Sequence, residues 1–340
     1  MKLSIVDLGV VAPGTNEEAG LADSLAAARQ ADALGYHRIW FAEHHANAMG
    51  ASHHPELLVA AAGVQTSGIR VGSGGVLMNH YSPFKVAEMF AQLEAMFPGR
   101  VDLGMGRATG GPVVDIALQR DREHPVNADH SQQVLETLAW LYDAFPADHP
   151  FAQAKIVKSV PHRPQTWLLG SSPNGSELAA ALGIGYTFAG FINPAGAATA
   201  LRNYRGHFRG GRFALEQPRA ILAVNVTVGE SPEHARHLAG SPKSYYSRLA
   251  RGDVGTLVPS ADEAAKELSR DEKDEPTVIV GDRWPRFVAG DPDQVRATLE
   301  QMMAESQADE VMVQSLVADP ADRRRSDELL AKVFDLPKRA

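Results

Sequence analysis

The chain contains no cysteine. Disulfide bonds, thiolate nucleophiles, iron–sulfur clusters and thiolate zinc sites are therefore excluded. No apolar run in the sequence approaches the roughly 20 residues that a membrane-spanning helix needs. The N-terminus lacks a long apolar segment followed by small residues, so it predicts a first strand rather than a signal peptide. These absences predict a cytoplasmic protein without a membrane partner.

Positive charge is also scarce. The chain has 33 Lys and Arg against 41 Asp and Glu, which gives a net charge of −8. This balance argues against nucleic acid as a partner, because non-specific binding to nucleic acid needs a basic surface. The run Arg323-Arg324-Arg325 is too short to alter this, and we interpret it as the solvated start of a helix.

The dinucleotide-binding fingerprint Gly-x-Gly-x-x-Gly is missing after the first predicted strand, where residues 9–14 have the wrong spacing. Strands instead alternate with helices along the chain, which predicts an α/β fold with a parallel sheet. Eight such strands favour a closed (β/α)₈ TIM barrel over a doubly wound sheet. The predicted strands are residues 3–8, 38–42, 70–76, 101–106, 166–169, 186–189, 220–228 and 310–316.

Helical periodicity and end signals place the helices between these strands. Gly35 closes an Ala-rich helix, Pro55 suits the first turn of the next, and Asp291 and Pro292 begin a later one. The predicted helices are residues 24–34, 55–65, 83–97, 131–145, 176–182, 197–208, 233–238, 291–306 and 327–334.

We expect one domain over residues 1–340, with an insertion at about 241–288 before the last helix–strand unit. This segment is polar and breaks the alternation, and we expect it to lie near the barrel mouth. Tyr245, Tyr246 and Trp284 are candidates to line an apolar pocket there, with ordinary core packing as the alternative.

Glu43-His44-His45 follows the second predicted strand, and the carboxyl ends of barrel strands form the active site. A histidine can move a proton near neutral pH, and a nearby carboxylate can fix its tautomer. Adjacent residues of a strand point to opposite faces, so the two histidines are expected to have different roles. A loop histidine held by hydrogen bonds is the alternative.

A metal site is the rival interpretation, since His44, His45, His53 and His54 lie in one short segment. Adjacent histidines are poorly placed to chelate one ion, and no set of three or four convergent ligands is apparent. The sequence therefore predicts no metal.

A phosphate site is predicted where two other strands end. Ser171, Ser172 and Ser176 lie in a turn that leads into a helix, whose N-terminus favours an anion. Arg107 ends the strand at 101–106 and is a natural bidentate partner of phosphate. Together they would clamp a cofactor such as FMN, although a capped turn and a structural salt bridge are alternatives. Glycines after Ser73 indicate either a bend or a close approach of a flat ring.

Four motifs in order carry a family resemblance. They are Ala42-Glu43-His44-His45, the segment from Gly72 to His80 (GSGGVLMNH), the segment from Pro98 to Arg107 (PGRVDLGMGR), and Trp167-Leu168-Leu169-Gly170-Ser171-Ser172. With these motifs the chain resembles the bacterial luciferase-like flavin monooxygenases, in particular a branch of stand-alone oxidoreductases. The resemblance covers nearly the whole chain. One departure is Ser171, where luciferase has an acidic residue.

The resemblance implies a luciferase-like barrel with a flavin or deazaflavin at its mouth. His44 would lie near the reacting face of the flavin, with Glu43 and His45 as further catalytic residues. A non-proline cis peptide is implied around Ser73-Gly74. The cofactor-binding residues would be Asp7, Ser73, Gly74, Asn79, Arg107, Ser171, Ser172 and Ser176.

The implied activity is that of a flavin-dependent monooxygenase. Reduced FMN from a separate flavin reductase would react with O₂ to give a flavin hydroperoxide, which oxygenates a small organic substrate. A homodimer is expected. The alternatives are a deazaflavin-dependent hydride-transfer enzyme, a non-catalytic flavin-binding protein and, more distantly, a metal-dependent hydrolase.

Overall fold

The computed structural model describes residues 1–108, 111–119, 129–156, 161–211, 213, 215–253 and 255–339. The strands within these ranges all pair in parallel in one sheet. They are β1 (Lys2–Asp7), β2 (Arg38–Phe41), β3 (Arg70–Ser73), β4 (Val76–Leu77), β5 (Val101–Gly106), β6 (Gln165–Gly170), β7 (Gly185–Ala189), β8 (Ala220–Val228), β9 (Phe287–Gly290) and β10 (Glu310–Gln314).

The sheet closes on itself, because β10 pairs with both β1 and β8. Around the barrel the order is β1, β2, β3, β5, β6, β7, β8 and β10. The predicted (β/α)₈ barrel is confirmed. Two details differ from the expectation: the third predicted strand is interrupted into β3 and β4, which both pair with β5, and β9 lies beside the carboxyl half of β8.

Helices follow most of the strands, and many begin at a proline that fits the first turn. They are α1 (Glu17–Leu34), α2 (Pro55–Gln65), α3 (Pro83–Met96), α4 (Pro112–Leu118), α5 (His130–Leu141), α6 (Pro173–Leu182), α7 (Pro194–His207), α8 (Pro232–Leu238), α9 (Gly240–Ala250), α10 (Ala261–Glu267), α11 (Arg270–Asp274), α12 (Pro292–Ser306) and α13 (Pro320–Val333). In the described ranges, no helix is long and apolar enough to cross a membrane.

Helices α1 and α13 begin at Glu17 and Pro320, well before the predicted residues 24 and 327, because a capping side chain lies upstream. Asn16 caps α1 and Asp319 caps α13, each by accepting backbone N–H groups of the first turn. The arginine run therefore lies inside α13. Arg323 is buried and pairs with Asp23 at 2.6 Å, which corrects the expectation of a solvated run for this residue, whereas Arg325 is exposed as expected.

The segment predicted as a polar insertion contains α9, α10, α11 and the start of β9. The first half of α9 is buried, and the ammonium of Lys243 donates to three backbone carbonyls at the end of α11. Tyr245 and Tyr246 pack against the barrel interior. Trp284 instead donates to Glu305 of α12, so it belongs to the outer layer and does not share a pocket with the tyrosines. The boundaries of the insertion stay a prediction.

A buried polar layer fills the amino-terminal end of the barrel. The Arg38 guanidinium lies 2.6 Å from Asp102 and 2.7 Å from Glu310, and Trp40 donates to Asp102 at 2.9 Å. Arg70 pairs with the other oxygen of Asp102. Every charge in this layer has a partner, as burial requires. The layer closes one end of the barrel and leaves the carboxyl ends of the strands for a site.

Candidate active site

Glu43 is buried just after β2 and organises the loop that follows. One carboxylate oxygen accepts from His45 Nε2 at 2.7 Å and from the Tyr81 hydroxyl at 3.2 Å. The other oxygen accepts from the backbone N–H of Leu77 at 2.9 Å. Glu43 therefore orients His45 and joins this loop to β4.

His44 has different surroundings from His45. Its backbone bonds to Ser52 and to the ring of His53, which fixes the backbone of the loop. Its Nδ1 atom is buried and has no hydrogen-bond partner among the described residues. Burial, together with His45 and His53, lowers the pKa of His44 to about 4. The imidazole is therefore neutral at neutral pH, with one ring nitrogen directed at no protein group.

Further histidines surround His45 on the side of Glu43. The rings of His54 and His80 meet His45 edge to face at 5.8 and 6.2 Å. Asn79 bonds to His80 through its amide nitrogen, while its amide oxygen is buried without a partner in the described part of the chain. Within that part, no three His, Cys, Asp or Glu side chains are arranged to hold a metal ion.

The interruption between β3 and β4 contains a cis peptide bond between Gly74 and Gly75, one residue beyond the expected Ser73-Gly74 region. Ser73 is buried, and its hydroxyl both donates to the carbonyl and accepts from the N–H of Gly104, each at 3.0 Å. These bonds replace the strand pairing that is lost where β3 ends. A Cβ atom on Gly74 would lie 3.0 Å from Cβ of Trp40, so Gly74 packs closely on that side chain.

The two glycines of β5, Gly104 and Gly106, differ in how much room their surroundings leave for a side chain. A Cβ atom on Gly104 would lie 2.2 Å from the carbonyl oxygen of Ser73, so the strand packing itself requires a glycine. A Cβ atom on Gly106 would meet nothing closer than 3.7 Å. An alanine at position 106, where β5 ends, would make only ordinary van der Waals contacts, so the packing of the chain does not itself demand a glycine there.

Arg107 follows β5 directly and is exposed. His130 at the start of α5 has its pKa lowered by burial and by the charge of Arg107, which places the two residues near each other. The Nδ1 atom of His130 is buried and has no partner among the described residues. Sequence reasoning missed His130, because it lies in no motif and follows a segment without periodicity.

The three serines of the predicted phosphate turn are not equivalent. Ser172 precedes α6 and is exposed, and its hydroxyl makes no capping bond. Ser171 is partly exposed, and its carbonyl accepts from Asn193 at 3.1 Å. Ser176 is buried and its hydroxyl donates to the carbonyl of Pro173 at 2.6 Å. Ser171 and Ser172 are therefore open to a ligand, whereas the hydroxyl of Ser176 is used inside the helix.

Asp7 lies on the helix side of β1. One of its carboxylate oxygens accepts from the N–H of Gly9 at 2.8 Å and from the Ser24 hydroxyl at 2.6 Å. Burial raises the pKa of Asp7. These contacts join β1 to α1. The role of Asp7 as a cofactor-binding residue stays a prediction, and these contacts do not support it.

A polar and aromatic group lies on the opposite side of the mouth, and of its members the sequence analysis singled out Tyr245 and Tyr246 but not Arg286, Gln314 or Asn225. Gln314 at the end of β10 donates to Asn225 of β8 at 2.9 Å and contacts the Tyr246 hydroxyl at 3.4 Å. Arg286 lies over the ring of Tyr246, with its guanidinium carbon 4.2 Å from the ring centre. The Tyr245 hydroxyl accepts from Asn47 of the loop after β2 at 3.4 Å. The side chains of Tyr245 and Tyr246 are called the aromatic wall below.

The mouth of this parallel barrel combines a neutral histidine with a buried Nδ1, an exposed arginine and a serine turn, an arrangement typical of a barrel enzyme. A profile of the luciferase-like monooxygenases matches residues 1–310. A luciferase-like monooxygenase of Escherichia coli is 32% identical over 97% of this chain and 96% of its own length. The N-acetyl-S-alkylcysteine monooxygenase of Bacillus subtilis is 31% identical over the full length of both.

The protein in the crystal structure of apo-MsnO8 has 39% sequence identity to this chain. The match covers 99% of both chains, and the two structures superpose with a TM-score of 0.89. The chain belongs to the luciferase-like monooxygenase family, and it is an oxidoreductase of the monooxygenase class.

Two more distant structures share the fold over 97–98% of both chains. One is the oxygenating constituent of a 3,6-diketocamphane monooxygenase of Pseudomonas putida in complex with FMN, at 18% identity and a TM-score of 0.69. The other is an F420-dependent secondary alcohol dehydrogenase, at 15% identity and a TM-score of 0.67. The fold alone therefore does not choose between a flavin and a deazaflavin.

Proposed function

We propose that the protein is a monooxygenase that uses reduced FMN and O₂. The observation that carries the proposal is the row of groups at the ends of β2, β4, β5 and β6 that contacts within the described part of the chain leave unused. These are the buried Nδ1 of His44, the buried oxygen of Asn79, and exposed Arg107 and Ser172.

These groups fit a flavin phosphate at one end and a flat ring at the other. Arg107 and the hydroxyls of Ser171 and Ser172 are donors suited to a phosphate, and the exposed N-terminus of α6 adds favourable backbone dipoles. His44 and Asn79 would supply polar atoms to a bound flavin ring.

When bound, reduced flavin supplies two electrons, so that one atom of O₂ enters the substrate and the other leaves as water. The chain itself binds and orients the reactants and excludes water from them. His44, which is neutral at pH 7, accepts or returns a proton at its unpartnered Nδ1. Glu43 and His45 act on this geometry indirectly, because Glu43 holds the loop in place through Leu77 and Tyr81.

The phosphate site is tested by comparing FMN with riboflavin, which lacks the phosphate. Replacement of Arg107 by Gln should weaken FMN binding about 10- to 100-fold, the range for a hydrogen bond to a charged group, and leave riboflavin binding unchanged. Ser176→Ala serves as the matched control, because its hydroxyl is used inside α6. Equal weakening of FMN and riboflavin would place the phosphate elsewhere.

The role of His44 is tested by turnover with saturating reduced flavin. His44→Ala should lower turnover about 100-fold or more if the imidazole transfers a proton. His207→Ala is the control, since this exposed histidine of α7 bonds to the Asn203 carbonyl and has no contact with the His44 loop among the described residues. Near-wild-type turnover of the His44 variant would remove this residue from the mechanism.

A deazaflavin-dependent hydride transfer is the second candidate, and the F420-dependent dehydrogenase of the same fold supports it. Such an enzyme needs no O₂. The monooxygenase names of relatives at 31% and 32% identity favour the first candidate. For the substrate, the Bacillus subtilis relative that is named for N-acetyl-S-alkylcysteine makes an organic thioether a candidate class.

We also propose a homodimer and a separate flavin reductase. Leu57 and Val64 are 67% and 74% exposed and lie two turns apart on one face of α2, and Met96 at the end of α3 is 50% exposed. Apolar side chains grouped at the surface indicate a protein interface. A reductase that delivers reduced flavin by diffusion is implied by the family resemblance.

A further inference from the structure

Arg286 is held firmly but is not neutralised. Its Nε–H donates to the carbonyl oxygen of Phe191 at 3.1 Å, and its guanidinium stacks on Tyr246. Tyr246 is fixed in turn by Gln314. Among the described residues, no Asp or Glu oxygen lies within 4 Å of the Arg286 guanidinium nitrogens. Its two terminal nitrogens therefore keep their donor capacity in a chain with a net charge of −8.

The position of Arg286 separates it from the predicted flavin residues. Those residues follow β2, β4, β5 and β6, whereas Arg286 contacts the segment after β7 and precedes β9, which pairs with β8. The surrounding side chains belong to the aromatic wall, and Tyr245, Tyr246, Phe191 and Leu249 pack on the barrel-interior cluster that includes Trp40 and Trp167. Arg286 thus combines a fixed cation with apolar surface across the mouth from the flavin half.

We propose that Arg286 binds the carboxylate of an anionic organic substrate whose apolar body lies on the aromatic wall. This inference rests on the proposed function and narrows its substrate class to carboxylates. The planar guanidinium, already oriented by Phe191 and Tyr246, presents its two terminal nitrogens to both oxygens of a carboxylate. Because the stacking and the Nε bond restrict the side chain in advance, little rotamer entropy is lost on binding.

The test compares two probes that differ only in charge, N-acetyl-S-benzylcysteine and its methyl ester. Their dissociation constants are measured by calorimetry with the full-length protein, with and without excess FMN. The wild-type protein should bind the acid at least about 10-fold more tightly than the ester, the lower end for a hydrogen bond to a charged group. Arg286→Gln should remove this preference, and Arg286→Lys should keep part of it.

Arg283→Gln is the matched control, because Arg283 is exposed in the same segment and, among the described residues, bonds only through its backbone to Val280. It should leave the preference for the acid intact. Equal binding of acid and ester by the wild type, or binding of neither, would overturn the inference. Loss of FMN affinity in Arg286→Gln with an unchanged preference for the acid would assign Arg286 to the flavin phosphate instead.

Failure of the proposed function gives a different result. In that case FMN does not bind to the wild-type protein. The preference for the acid over the ester, measured without FMN, still shows whether Arg286 binds a carboxylate. Thermal unfolding of both Arg286 variants, measured alongside, separates a loss of binding from a loss of the fold.

Discussion

Stability near pH 5 should depend on His44. Its pKa falls from 6.5 to about 4 in the folded chain because the ring is buried beside His45 and His53. Between these two values the unfolded chain takes up a proton at this residue and the folded chain does not. The contribution is therefore fully present above pH 6.5 and is lost as the pH falls toward 4. At pH 5, about 1.5 units below the pKa of His44 in the unfolded chain, protonation of the unfolded chain lowers the unfolding free energy by about 2 kcal/mol.

The assay is urea unfolding at pH 7.5 and pH 5.0 for the wild type and for His44→Gln, whose side chain does not titrate. The loss of unfolding free energy between the two pH values should be smaller by about 2 kcal/mol in the variant. Other titrating groups, among them the buried carboxyl of Asp327 with its pKa raised to about 7, are common to both proteins and cancel. His207→Gln, which replaces an exposed histidine of α7, should behave like the wild type. Equal pH dependence of wild type and His44→Gln would refute the buried, neutral His44.

Three further predictions concern the scaffold. Asp102→Asn removes the charge that faces Arg38 and Arg70 and should cost about 3–5 kcal/mol of unfolding free energy, measured by urea unfolding, because Arg70 loses its carboxylate partner and buried Arg38 loses one of its two. Gly104→Ala should lower the yield of folded protein or the melting temperature sharply, since the new Cβ would collide with a backbone carbonyl. Val64→Asp should convert a dimer to a monomer in light scattering with the same circular dichroism, and an unchanged mass would remove α2 from the interface.

The barrel could be predicted because the residues that begin and end its strands and helices lie next to those elements in the sequence. Apolar runs end at glycine or at polar groups, and helices begin at proline or a capping side chain, so most elements fall near their predicted positions. Errors at the ends of α1 and α13 arise from caps at Asn16 and Asp319 that lie upstream of the periodic stretch. The buried half of α9 was missed because its polar residues, including Lys243, are satisfied by a distant helix end.

The candidate site could be predicted only in part, for the same reason. His44, Arg107 and the serine turn lie at the carboxyl ends of strands. Because active sites of this fold type are built there, their position in the sequence was enough to predict them as site residues. Arg286 and His130 lie in irregular or weakly patterned stretches, and only the folded chain shows that they border the mouth. Likewise, the sequence does not reveal that Glu43 bonds to His45 rather than to His44, or that Ser176 is used inside its helix.

The most direct test of the account mixes the protein anaerobically with reduced FMN and, separately, with reduced deazaflavin, and follows binding by fluorescence before O₂ is admitted. We expect tight binding of reduced FMN and O₂ uptake that, with a substrate present, places one atom of labelled O₂ in the product. Preference for the deazaflavin without O₂ uptake, or binding of neither cofactor, would contradict the claim that this barrel is a flavin-dependent monooxygenase.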